Sequence, residues 1–123
     1  MQIFIIFIGD NIKGSVIIHE EAKVDESALI GPNVSIGKGC VVKSGARIKN
    51  SWIFPDTTID EHAYIEGSIV GKACTIGKWA RLEPLTVIAE NVQVKDELFI
   101  NGAKILPHKG ISGSYYEKGT IIM

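Results

Sequence analysis

Residues 30–48 read IGPNVSIGKGCVVKSGARI, and their spacing decides the fold. Ile30, Ile36, Val42 and Ile48 stand six apart, and Val34, Cys40 and Ala46 stand four residues after the first three. A helix would repeat its apolar face at about 3.6 residues and a single strand at 2, so a strict six belongs to neither. It belongs to a coil of short strands that turns a corner after each rung.

Working outward, the same column runs back through Val24 to Ile18 and forward from Ile48, after one step of five, to Ile53, Ile59 and Ile65. After a second step of five it continues through Val70, Ile76, Leu82, Ile88, Val94, Ile100 and Leu106. Ile, Val and Leu make up little more than a quarter of the sequence, yet fill all sixteen positions. A second column four residues later is mostly small and includes Ala22, Ala28, Val34, Cys40, Ala46, Trp52, Thr57, Ala63, Ile69, Cys74, Ala80, Thr86, Val92 and Leu98. Gly, Asn, Asp and Lys gather between, as in Gly31-Pro32-Asn33, Gly37-Lys38-Gly39 and Gly71-Lys72, where tight corners need them.

The pattern predicts an all-β, single-stranded, left-handed parallel β-helix of hexapeptide repeats. Counted from Ile18, the two short repeats are the sixth and ninth, which in a coil of three strands fall on one side of adjacent turns. That coincidence favours a triangular prism of about five coils, roughly 24 Å long at about 4.8 Å between strands. The expected single domain has an N-terminal strand or cap at 1–15, coils at 16–106 and a C-terminal tail at 107–123.

Composition narrows the function. With 123 residues, a net charge of -1 and acidic and basic groups interspersed, the chain has no electrostatic footprint for nucleic acid. Cys40 and Cys74 lie far apart outside any metal-ligand spacing, so a reducing, cytoplasmic setting is expected and both thiols read as small core residues. The apolar run IFIIFI at 3–8 is far shorter than the roughly 20 residues that span a bilayer, and no membrane partner is expected. Its β-branched and aromatic content predicts a strand.

Residues 79–86, WARLEPLT, are spelled like the end of a nucleotidyltransferase phosphate loop. Such a loop needs glycines ahead of the Arg so that backbone N–H groups reach the phosphates, and here Gly77-Lys78-Trp79-Ala80 precedes it inside an ordinary rung. The stretch is read as structural: Leu82 and Thr86 inward, Glu83-Pro84-Leu85 a corner. The histidines 19, 62 and 108 are too dispersed to converge on one metal ion. His62 as the general base of an acyltransferase lacks a long inserted loop to build an acceptor pocket, and reads as a solvated corner residue.

Past residue 60 the stretches SIVGKACTIGKWARLE, VKDELFINGAKILPHK and the closing IIM, together with IGPNVSIGKGCVV, resemble the C-terminal domain of mannose-1-phosphate guanylyltransferase (GDP-mannose pyrophosphorylase), in particular the eukaryotic β type. The resemblance implies a β-helix appended to a nucleotidyltransferase domain that makes GDP-mannose from mannose 1-phosphate and GTP with Mg²⁺. It implies an oligomerisation and regulatory role, with regulation by GDP-mannose in some members. The glycine-rich phosphate loop, the sugar-phosphate lysine motif and the metal-binding Asp have no counterpart in these residues. No catalytic, cofactor-binding or metal-binding residue is therefore expected in this chain, and Mg²⁺ belongs to the parent enzyme. The run IFIIFI departs from the family linker. The reading from a different class is a free-standing hexapeptide acyltransferase with an intersubunit site, and a third is a structural scaffold subunit.

Expected partners are further copies of the chain, since open prism ends expose unpaired backbone, and the catalytic domain or partner subunit of the parent enzyme. Candidate contact residues are Trp79 and Arg81, an exposed aromatic beside a guanidinium, and Leu106, Pro107, His108 and Lys109, where the proline is expected to end the ladder. Tyr115 and Tyr116 complete the set, in a tail expected to dock. Trp52, too large for the small column, is expected to cap a coil widened by the short sixth repeat.

Overall fold

The computed structural model describes residues 16–111 and 121–122, and among them every regular element is a strand. On the first face lie β1 (Val16–Ile18), β4 (Val34–Ile36), β7 (Ser51–Ile53), β10 (Ile69–Val70), β13 (Val87–Ile88), β16 (Lys104–Ile105) and β18 (Ile121–Ile122). The second carries β2 (Lys23–Val24), β5 (Val41–Val42), β8 (Thr58–Ile59), β11 (Thr75–Ile76), β14 (Gln93–Val94) and β17 (Gly110–Ile111). The third carries β3 (Leu29–Ile30), β6 (Arg47–Lys49), β9 (Tyr64–Glu66), β12 (Arg81–Glu83) and β15 (Phe99–Asn101). Each strand from β1 to β14 pairs in parallel with the third strand after it, and β16 pairs with β18. This is a β-solenoid of about six turns.

The aliphatic column forms the core. Ile30, Ile36, Ile48, Ile53, Ile59, Ile65, Ile76, Leu82, Ile88 and Ile100 are all fully buried, each stacked on the residue one turn away. Burying each such side chain is worth roughly 1.5–3 kcal/mol. Val24, in the first turn, is only half-buried.

The corners explain the period. At every corner from Asn33 to Gly102 a residue with positive φ immediately precedes the inward residue, as with Asn33 before Val34, Asp56 before Thr57, His62 before Ala63, Trp79 before Ala80 and Leu85 before Thr86. Its N–H donates to the preceding turn, as from Asn50 to the Pro32 carbonyl at 2.8 Å and from Leu85 to that of Gly67 at 2.9 Å. Asn and Asp tolerate this left-handed conformation, and Gly39, Gly45, Gly67 and Gly102 fill it at four more corners.

Four expectations are corrected. Trp52 and Ile69 point outward, whereas Ser51 and Ser68 occupy the small inward position. The residue missing from each five-residue step is lost at the corner, so the small position comes three residues after the aliphatic one. Trp52 therefore caps nothing. Leu106 is outward and Ile105 inward, because a third five-residue step separates Ile100 from Ile105, with Ala103 in the small position. Pro107 does not end the ladder: it sits in a corner, and Gly110–Ile111 pairs with Gln93–Val94 beyond it. The continuation supplies the turn beyond the expected five.

Candidate interface

Trp79 and Arg81 share one edge of the prism. Positive φ at Trp79 (60°) and at His62 (59°), one turn earlier, directs both rings outward at the corner entering the third face. There they stack with centroids 4.3 Å apart and planes 16° from parallel. Trp79 stays 62% exposed beside its stack on His62. Two residues on, Arg81 faces outward from β12 in register with Tyr64, and its guanidinium carbon is 4.8 Å from the Tyr64 ring centroid. The Lys49 ammonium approaches the same ring at 5.6 Å.

Carboxylates hold this cluster in place. The Tyr64 hydroxyl donates to Glu66 Oε1 at 2.8 Å, and Arg81 Nε donates to Glu83 Oε1. The result is an open groove of about 520 Å³ with Arg47, Tyr64 and Arg81 on its floor and the His62–Trp79 stack along its wall. Aromatic rings with interleaved guanidinium groups suit a protein contact, where Trp, Tyr and Arg dominate binding energy.

The other expected contact residues lie elsewhere. Leu106, Pro107 and His108 are exposed at the corner joining β16 to β17, where His108 Nδ1 lies 2.8 Å from Asn91 Nδ2. Lys109 is half-buried beside them, and its carbonyl accepts from the Gln93 N–H at 2.9 Å. The structure does not bring this corner onto the Trp79–Arg81 edge. Tyr115 and Tyr116 lie outside the described residues, as does the run IFIIFI.

One surface escaped the sequence reading. Trp52, Phe54, Ile69 and Val87 are all exposed on the first face, and Leu85 and Leu106 flank it. The signal was the residue between the two inward columns, legible only once the short corners are placed.

Among the described residues no three His, Cys, Asp or Glu side chains converge, so these residues do not fit Mg²⁺. Cys40 and Cys74 are buried, and burial pushes both thiols up from their ordinary range, away from the reactive thiolate. Asp25 is held below the usual carboxylate range by the Ser27 hydroxyl and N–H, which is a local turn on the surface. From Ile18 to Ile111 the rungs keep their five- or six-residue length, and no loop projects from them to form a pocket.

Comparison with known proteins agrees with this architecture. The chain matches the family described as GMPPB C-terminal domain over residues 12–121. It is 47% identical over 106 residues to probable mannose-1-phosphate guanylyltransferase 3 of Oryza sativa subsp. japonica, covering 86% of this chain and 29% of that protein. It is 51% identical over 110 residues to the mannose-1-phosphate guanyltransferase of Candida albicans, covering 89% and 30%. The chain thus spans under a third of the length of the curated relatives it matches. Among solved structures, PerB from Caulobacter crescentus, crystallised with CoA and GDP-perosamine, aligns over 83% of this chain and 51% of its own. The TM-score there is 0.50 at 19% identity, a likeness of fold alone. By the extent and identity of these matches, the chain belongs to the GMPPB C-terminal domain family.

Proposed function

We propose that this chain is the assembly and regulatory domain of a mannose-1-phosphate guanylyltransferase, a cytoplasmic enzyme that makes GDP-mannose from mannose 1-phosphate and GTP with Mg²⁺. In this reading the chemistry, and the Mg²⁺ that serves it, belong to the part of the relatives' length that the chain does not match. The prism contributes surfaces on which further copies and a catalytic domain or partner subunit are held, and through which a regulator such as GDP-mannose can act on the enzyme.

The observation that carries the proposal is an unbroken stack of rungs matched to under a third of the guanylyltransferases' length. A rung without an inserted loop gives a flat wall, which suits docking and does not enclose a small substrate. The test is the size of the native product, by immunoblot with an antibody to this domain and by peptide coverage. A product roughly three times 13.4 kDa is expected, in proportion to the matched share of the relatives. A product at 13.4 kDa itself, joined by saturable acetyl-CoA binding in calorimetry, would overturn the proposal in favour of a free-standing acyltransferase.

A further inference from the structure

The three faces of the prism differ in charge. On the third face, outward positions carry Arg47, Lys49, Glu66, Arg81 and Glu83, and the second presents Lys23, Lys43, Asp60 and Lys95 along its strands and their ends. On the first face the outward column is Ile17, Ser35, Trp52, Ile69, Val87 and Lys104, each in register with the next. A second column, two residues on, holds His19, Gly37, Phe54, Gly71, Ala89 and Leu106; His19 and Gly71 are buried, and Phe54 and Leu106 are exposed. Lys104 is the only lysine, arginine or carboxylate in these two columns, and none of the five ion pairs among the described residues touches them. Trp52 is 58% exposed at the middle of this surface.

A contiguous exposed apolar face marks an interaction site, and its symmetry indicates the occupant. When two copies pair about a two-fold axis, each surface meets itself, so like charges are brought together unless the patch has none. Here the single cation, on β16, lies toward one end of the face, with β18 beyond it. An axis parallel to the strands and midway between β7 and β10 sets Trp52 of one copy against Ile69 of the other. It also sets Phe54 over the strand at Gly71, which has no side chain and is itself buried, and Ser35, which is small, against Val87. The two Lys104 side chains then fall at opposite ends, five strand spacings or about 24 Å apart. All six strands from β1 to β16 are covered. The face projects on the order of 500 Å² per copy and 1,000 Å² in all, at the low end for a specific interface, where association is weak.

We propose that the first face is a self-pairing surface, on which a second copy of this chain docks about a two-fold axis lying between β7 and β10. The proposal rests on reading the chain as an assembly domain, and gives that assembly a surface and a geometry.

The experiment is sedimentation velocity on the 123-residue chain from about 1 to 200 µM, a range that reaches weak association. The wild type dimerises. Trp52→Glu and Ile69→Lys, both at exposed positions, keep wild-type thermal unfolding of the monomer yet raise the dimer Kd by roughly 30-fold or more, as loss of a central contact does. Mixing the two variants restores association. The carboxylate introduced at position 52 of one chain then faces the ammonium introduced at position 69 of the other, while the second Trp52–Ile69 contact across the axis is native. A wild type that is monomeric at about 200 µM, a Trp52→Glu chain that still dimerises as wild type, or a mixture that stays monomeric overturns the proposal. Any of these would leave the guanylyltransferase reading standing, since that is decided by the size of the native product.

Discussion

At the scale of the residue, the corners raise a problem of unmet carbonyls that the small inward column solves. Thr57 Oγ1 donates to the Gly71 carbonyl at 2.6 Å, and Cys40 Sγ and Cys74 Sγ donate at 3.0 Å to the carbonyls of Phe54 and Ala89. The same edge of three successive turns thus carries a donor aimed at the next turn. This gives the buried thiols a role beyond filling space, and their proton matters for stability. Burial raises both above the ordinary 9.0, opposed only in part by backbone hydrogen bonds. As pH rises, the unfolded chain releases these protons first. Between the unfolded and folded values it binds fewer protons than the native state, so the slope of stability against pH is negative there. Their contribution is complete below pH 9.0 and is lost as pH climbs through the raised folded values. Urea unfolding in reductant at about pH 8 and pH 10 should show the decline, at up to about 1.4 kcal/mol per pKa unit for each thiol. The Cys40→Ala/Cys74→Ala variant should be less stable at the lower pH but should show a shallower decline. An equal slope in the two proteins would remove the thiols from the account.

At the scale of the element, the rung is governed by its corner. Leu85 occupies a left-handed position at φ 68°, is 77% exposed, and donates its N–H to Gly67 across the edge. A bulky side chain is unfavourable in that conformation, where Asn is far better tolerated. Leu85→Asn keeps the hydrogen bond and surrenders little burial, so it should stabilise the chain by about 0.5–1 kcal/mol and raise Tm by about 2–4 °C. A Tm that falls in differential scanning calorimetry would show that Leu85 is kept there by its contacts. The same corners limited what the sequence could show. The interval from Ile48 to Ile53 is five wherever the missing residue falls, so the aliphatic column was legible while the small column slipped to Trp52. The chemistry that settles the slip is local: Asn50, Gly67 and Gly102 tolerate positive φ, and each precedes a small residue, Ser51, Ser68 or Ala103. At Ile105-Leu106 two adjacent aliphatic residues fitted the column equally, and the hexapeptide count chose the wrong one. Trp79 was legible as an outward corner residue because its rung has full length. Its stacking partner His62 lies a full turn earlier in the chain, and nothing local to either residue encodes a contact that the register between turns creates.

At the scale of the molecule, the prism is close to one-dimensional: each turn touches only the turns above and below. Stability in such a stack is approximately a sum of turn and neighbour terms, with weaker protection toward the ends. Ile59 sits fully buried between Val42 of the turn before and Ile76 of the turn after. Val24, in contrast, is half-buried and, among the described residues, is paired on one side only, with Val42. Truncating Ile59 removes three carbons from a site that cannot collapse without shifting two neighbouring rungs, and should cost about 3 kcal/mol. Truncating Val24 removes two carbons from a site that water already reaches, and should cost about 1 kcal/mol or less. Urea unfolding of Ile59→Ala and Val24→Ala checks the difference, and native-state amide exchange checks its cause. Amides of β8 and β9 should exchange more slowly than those of β2 and β3, because opening a middle turn exposes two interfaces and opening the first described turn exposes one among the described turns. Equal costs and uniform protection would mean that the stack opens as a single unit, with the end turns held as firmly as the centre.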